Sequence, residues 1–329
     1  MTPAASPRDV FLANVALLVM VALGGAFFPI LEEVLKHWDI LSATAARQFL
    51  AAMALLTALL IRERRLPMLR PGTWQRLWLL GGIAMTASSM MTSLAIHFSD
   101  GNSVAILTTA NPLIAILIAR TVQHLSLARG LLVGTGLAVL GGLIAVLGSG
   151  GNLAGFRGGE LLIIIGSAIW TWYTIVAMRW LAGTSQLAIS ALSLLPVGVL
   201  LPLVVAFCAA TGVADIRMAT DPVTLLLVGY TGLVSNGIGN LLWFFGCSRV
   251  GVPVASLFQN LMPIAAVLVS LLFGREPTWA QVVGGTIILA GVLYAQLGGR
   301  RRSQSAASHP TFDTVPDQPP PLPSTRGRS

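Results

Sequence analysis

Apolar runs long enough to cross a bilayer recur ten times along the chain, at approximately 11–31, 40–61, 75–97, 101–121, 127–147, 159–180, 186–208, 223–246, 252–273 and 279–298. A helix rises about 1.5 Å per residue, so about 20 apolar residues cover a hydrocarbon core roughly 30 Å thick. Each run is therefore predicted to be a membrane-spanning helix, and the chain an all-α polytopic membrane protein. Short polar insertions interrupt the pattern. In QNLMPIAAVL, residues 259–268, two amides and a proline lie inside a run that carries no charge. An unpartnered amide in hydrocarbon costs several kcal/mol, and Pro263 frees the carbonyl of Gln259, so these groups must find partners within the protein or in a water-filled space.

Composition strengthens the membrane assignment. Of 329 residues, 55% are hydrophobic and only 10% charged, where an ordinary soluble protein has about 25% charged. The formal charge of +8 does not point to nucleic acid, because the arginines sit at the ends of apolar runs and read as topology signals. With the N-terminus inside, the cytoplasmic loops and tail edge collect twelve arginines and the outer loops only Lys36, Arg157, Arg217 and Arg275. This predicts that both termini are cytoplasmic. Arginine makes up nineteen of the twenty basic residues, which suggests a GC-rich bacterial source and hence the bacterial inner membrane. Cys208 and Cys247 fall in or at the edge of apolar runs and suggest neither a disulfide framework nor a metal site. No cofactor is expected. The first run is predicted to be a retained helix rather than a cleaved signal.

Sliding the chain on itself by 151 residues superimposes Gly81 on Gly232, Pro112 on Pro263 and Gly134 on Gly285. This predicts an internal duplication: a cytoplasmic N-terminus 1–10, a first five-helix repeat 11–150, a second 151–299, and a disordered cytoplasmic tail 300–329 that contains PDQPPPLP. The P-x-x-P spacing there reads as part of a solvated tail. Five helices per repeat, an odd number, put the second copy into the membrane from the opposite side. Inverted repeats of this kind are common in secondary transporters, with the substrate site near midplane between the halves.

The same offset pairs Thr108 with Gln259, Thr109 with Asn260, Met85 with Asn236 and Ser89 with Asn240. Asn236, Asn240 and Trp243 follow i, i+4, i+7 and share one helix face. Ser88, Ser89 and Thr92 mark the matching part of the third span. Two readings stay open: these groups line a substrate cavity, or they tie helices together, as interhelical hydrogen bonds averaging about 0.6 kcal/mol commonly do. Trp170, Trp172, Tyr173 and Trp243 lie away from the interfacial belts, where such rings collect, and could wall a cavity or pack a core. Arg47 lies seven residues into its span, where it could snorkel, pair with a helix, or attract a carboxylate. Gly130, Gly134, Ala138 and Gly142, at spacing four, predict close helix packing. GTGLAVLGG is not a phosphate loop, since Val139 stands where a glycine is needed and no strand precedes it.

At residues 253–292, PVASLFQNLMPIAAVLVSLLFGREPTWAQVVGGTIILAGV, the chain resembles the EamA-type carriers of the drug/metabolite transporter superfamily. The features that carry the likeness are the proline of the ninth span, the Gly-x-Glu-Pro-Thr turn, Gln281 and the following glycines. The counterpart at 103–136 departs from the pattern, with His124 and Leu125 where the family often has glutamate. The resemblance, over residues 10–298, implies a ten-helix inner-membrane carrier that moves small metabolites, often outward, by alternating access. The family often carries arginine at the position of Arg47, which adds to the carboxylate reading.

These observations predict a secondary transporter for an amino acid or related neutral or carboxylate-bearing solute. The expected substrate-binding set is Asn260, Gln259, Asn236, Asn240, Thr108, Thr109, Ser89, Trp243, Tyr173 and Arg47, with Pro112, Pro263, Gly134 and Gly142 at hinges or packing contacts. The partners are the substrate and the lipid bilayer, and the coupling partner is left open between a proton and an exchanged solute, since none of the twelve carboxylates lies near the middle of a span. Glu276 is expected to cap the last helix. An intramembrane enzyme would need a midplane His, Asp or Glu constellation, and none is visible: His97 with Ser93 lacks an orienting carboxylate. A structural or lipid-handling membrane protein would tolerate the same repeat and is the competing reading.

Overall fold

The computed structural model describes residues 6–98, 104, 108, 111–123, 129–147 and 159–262, with residue 265 and residues 279–280, 282–284, 286–288, 290–291 and 293–294. Among these residues there is no strand; one isolated antiparallel bridge joins Trp38 to Met218. The helices are α1 (Pro7–Gly25), α2 (Phe27–His37), α3 (Ile40–Glu63), α4 (Thr73–Phe98), α5 (Asn111–Gln123), α6 (Arg129–Leu147), α7 (Gly159–Trp180), α8 (Gln186–Thr211), α9 (Pro222–Val250) and α10 (Val252–Gln259). The described residues beyond 278 are also helical. Among the described residues six helical lengths suffice to span a bilayer by length and composition, α1 and α2 counting as one continuous length from Pro7 to His37. The described parts of the fourth and fifth expected spans include α5 and α6. Pro263, Thr109, Glu276 and the C-terminal tail lie outside the described residues.

Where sequence and structure differ, backbone hydrogen bonding gives the reason. The first expected span is two helices, because Pro29 has no N–H and leaves the Gly25 carbonyl without its partner four residues on, just where Ala26 interrupts the helix. In the ninth, α10 stops at Gln259; the next turn tightens, with the Asn260 and Leu261 N–H groups bonding to the carbonyls of Leu257 and Phe258. Pro112 is buried in α5 near the first of its described residues, and residues 109–110 before it lie outside the described set, so the structure does not address its expected bend. Both α4 and α9 contain a π-helical stretch, Leu77–Gly81 and Tyr230–Ile238. The 151-residue offset carries the first of these onto residues 228–232, so the irregularity recurs at one position of the repeat.

Helix starts are set locally. Ser6 and Asp9 form a reciprocal capping box at α1, while Asp39, Ser185 and Asp221 cap α3, α8 and α9. The Thr224 N–H donates to Asp221, which holds that exposed carboxyl below its ordinary value. Packing between the halves is reciprocal. Helix α1 packs on α9 and its counterpart α7 packs on α4, while α5 meets α10 and α3 meets α8 in the most extensive interface. These pairings fit two repeats related by a pseudo-two-fold axis. Leu17, Leu55, Leu192, Leu201 and Phe258 fill the core, and the outward faces are also apolar, with Ile61 and Leu226 each 74% exposed. Such a surface suits lipid and not water.

The α3–α8 interface depends on one missing side chain. A Cβ on Gly198 would meet the Ala52 Cβ at 2.4 Å and the Gln48 carbonyl at 3.1 Å. Gly198→Val is expected to destabilise by about 1–3 kcal/mol through overpacking, seen as a lower midpoint of thermal unfolding in detergent. Gly229→Ala, where nothing lies within 4 Å, should leave the midpoint unchanged or raise it.

Candidate functional site

A cavity of ≈ 200 Å³ lies between the two halves. The first half contributes Met20, Phe27 and Phe28, then Arg47 and Gln48 from α3, Met85, Ser88, Ser89 and Thr92 from α4, and Thr108 and Asn111. The second half contributes Ser167 and Trp170 from α7, Ser235, Asn236, Asn240 and Trp243 from α9, and Gln259 with Met262. The lining residues of α9 are those of its π-helical stretch and the two turns after it. A π-turn shifts the helical phase by one residue, and this one is seated where a Cβ on Gly232 would lie 3.2 Å from the Cα of Arg47.

One chain of hydrogen bonds crosses the cavity wall. The Asn236 Nδ2 donates to Gln48 Oε1 at 2.8 Å, and the Gln48 Nε2 donates to Ser89 Oγ at 2.5 Å. Arg47 Nη2 donates to the Ser89 carbonyl at 3.0 Å and to Ser93 Oγ at 3.4 Å, and the guanidinium lies 5.4 Å from the centre of the Phe27 ring. Arg47 is only 4% exposed, and its Nε is buried without a partner. No ion pair involves it among the described residues, where the only pairs join Glu33 to Lys36 and His37. A second link between the halves is Asn111 Nδ2 donating to Gln259 Oε1 at 2.9 Å. The rings of Trp170 and Trp243 stack at 4.7 Å between centroids and 30° between planes, and the Trp243 indole N–H lies 3.4 Å from Thr174 Oγ1. Ser88 Oγ donates to the Gly166 carbonyl, which fastens α4 to α7.

Of the residues expected to bind substrate, Arg47, Ser89, Thr108, Asn236, Asn240, Trp243 and Gln259 come together on the cavity wall. Thr109 lies outside the described residues. Asn260 is fully buried but is not among the lining residues, and among the described residues neither atom of its amide has a hydrogen-bond partner. Tyr173 points elsewhere: its hydroxyl donates to the Ser193 carbonyl, and its ring occupies the space that a Cβ on Gly81 would need. On α6, Gly134 is buried, and a Cβ on Gly141 would meet the Gly284 carbonyl at 2.5 Å; the surroundings of Gly142 lie outside what is described. Sequence reasoning missed Gln48, Asn111 and Ser235. An amide next to Arg47 in an apolar run, and another immediately before Pro112, were signals that could have found the first two.

A helical membrane fold in two similar halves, with a cavity of mixed polar and apolar lining between them, defines the class: a multi-pass membrane protein. The sequence profile of the EamA-like transporter family matches the chain twice, at residues 11–147 and 157–296, and the chain belongs to that family. It is 27% identical over 286 residues to the "Uncharacterized inner membrane transporter YedA" of Escherichia coli strain K12, covering 84% of this chain and 89% of that protein. Identity is 22% over 278 residues to the "Uncharacterized transporter YyaM" of Bacillus subtilis strain 168, covering 82% and 89%. To a "Probable terminal-alkyne amino-acid exporter" of Streptantibioticus cattleyicolor it is 23% over 301 residues, covering 88% and 96%. A protein of known crystal structure shares the fold, with a TM-score of 0.70 at 18% identity over 88% of this chain and 98% of the other.

The cavity assignment predicts a labelling pattern. In a background where Cys208 and Cys247 are replaced by alanine, Ser235→Cys and Asn240→Cys should react with a small water-soluble maleimide, and Tyr173→Cys should not. Mass spectrometry of the labelled protein reads the difference.

Proposed function

We propose that the protein is a secondary carrier that moves a small metabolite, an amino acid or a related neutral or carboxylate-bearing solute, outward across the bacterial inner membrane. The observation that carries this reading is the cavity itself, to which both halves contribute polar side chains among apolar ones within an apolar helix bundle. A polar group within a membrane span is costly and is retained where it meets substrate, water or another polar group. The chain's family membership supports transport, and the name of one relative as a probable amino-acid exporter supports the substrate class.

In this reading the chain has ten spans as two inverted five-helix repeats, 11–150 and 151–299, with residues 1–10 and 300–329 in the cytoplasm. The two bundles rock about the cavity and expose it alternately to each side. Binding energy comes from the Gln48–Asn236 and Asn111–Gln259 amides and from the Trp170–Trp243 pair, which presents an apolar wall. Because these bonds join the halves, a substrate that replaces them couples its own binding to the relative position of the bundles.

The test is counterflow in liposomes bearing the purified full chain, with radiolabelled amino acids and organic acids. Substrate-specific counterflow should appear, and Asn236→Ala and Gln48→Ala should each weaken substrate half-saturation roughly fivefold, the equivalent of about 1 kcal/mol for one hydrogen bond. Unchanged counterflow in both variants would reduce these amides to ties between helices.

A further inference from the structure

We propose that Arg47 is the charge-selecting group of the cavity, that the transported molecule carries a net single negative charge on a carboxylate, and that the carrier therefore works chiefly as an exchanger. The proposal rests on the carrier reading above and narrows it.

Arg47 is buried at 4% exposure and lines the cavity, and its Nε has no partner. The groups that it does touch are neutral: the Ser89 carbonyl, the Ser93 hydroxyl and the Phe27 ring. They orient the side chain without cancelling its charge. The described cavity wall contains no aspartate or glutamate. A guanidinium holds its proton at any physiological pH and presents a planar fork that fits a carboxylate. No described residue supplies a counter-ion, which leaves that place to a solute, and the polar side chains beside Arg47, namely Gln48, Ser89 and Asn236, supply donors for the same carboxylate. A cavity of ≈ 200 Å³ equals the share of roughly seven waters at about 30 Å³ each, which suits a small organic acid.

Charge balance then bears on the transport cycle. In alternating access the cavity closes to both sides before it opens on the far side. Closing it empty strips water from an uncompensated cation, whereas closing it around a monoanion removes a neutral pair. The loaded carrier reorients more readily than the empty one, and flux depends on an anion being present on the opposite side. A zwitterion leaves one positive charge in the closed cavity and is disfavoured. The stacked Trp170 and Trp243 provide a wall for an apolar side chain.

The test uses liposomes bearing the full chain and matched probes: N-acetyl-leucine and its amide, 2-hydroxyisocaproate and its amide, and leucine. Counterflow of the acids is expected, with the amides and leucine at least about tenfold poorer. Exchange should exceed net flux into empty liposomes on the order of tenfold, within the 5–150-fold range of typical coupling free energies. Arg47→Lys should keep the preference for acids, while Arg47→Gln should abolish it and bring exchange and net flux together. Trp170 and Trp243 give a second readout, since the acids should quench the fluorescence of the wild type in detergent and the amides should not. The first two comparisons and this one use the wild type alone, so they stand even where Arg47→Gln fails to fold. Leucine or the amides moving as well as the acids, or net flux equal to exchange in the wild type, would overturn the proposal and leave the carrier reading intact. Counterflow of none of these probes, nor of any amino or organic acid in the wider panel, would overturn both.

Discussion

Hydrocarbon offers no hydrogen bonds, and most of this architecture follows from that constraint. Every polar side chain within the bundle must be answered by another part of the protein or by something the protein admits. Some bond to carbonyls of their own helix, whereas the chain Arg47–Ser89–Gln48–Asn236 and the pair Asn111–Gln259 answer one another and both join the first half to the second. The polar groups that make the cavity hospitable to a solute thus also hold its walls together. A site of this kind binds by exchanging internal hydrogen bonds for external ones, which keeps net affinity modest while making the wall responsive to its contents.

The two halves share a scaffold but not a chemistry. Equivalent helices meet equivalent helices, and π-helical stretches recur at one position of the repeat. The residues set on that scaffold differ: α3 brings Arg47 to the cavity wall, while on α8 Gly198 sits where a Cβ would meet Ala52 and the Gln48 carbonyl.

The helical membrane fold was readable from the chain because apolar run length is a direct count against bilayer thickness, and the repeat was readable because glycines and prolines mark backbone geometry. The face Asn236–Asn240–Trp243 was found by helical spacing alone and lies on the cavity. Tyr173 was misplaced for a physical reason: an aromatic ring with a hydroxyl suits a wall and a core equally, and the Gly81 recess and Ser193 carbonyl that place it in the core come from other helices. Gln48 escaped notice beside the more conspicuous Arg47. The kink at Ala26 was foreshadowed by Pro29, but the pattern of apolar residues runs straight through it. Membrane orientation rests on the arginine distribution, a property of the loops that helix packing does not test.

Helix α3 is tied at one end to the connection that follows α8 and at the other to the residue that caps α8. At one end Asp39, which caps α3, also accepts the Arg217 N–H at 2.9 Å, beside the bond from the Trp38 indole to the Ala219 carbonyl. At the other, Ser185, which caps α8, donates to Glu63. Mechanically, this pair is an axle. Ties at both extremities resist splaying as well as sliding, so any displacement that widens the cavity has its lever arms in the flanking helices, and the fulcrum runs along the seam where Gly198 meets Ala52.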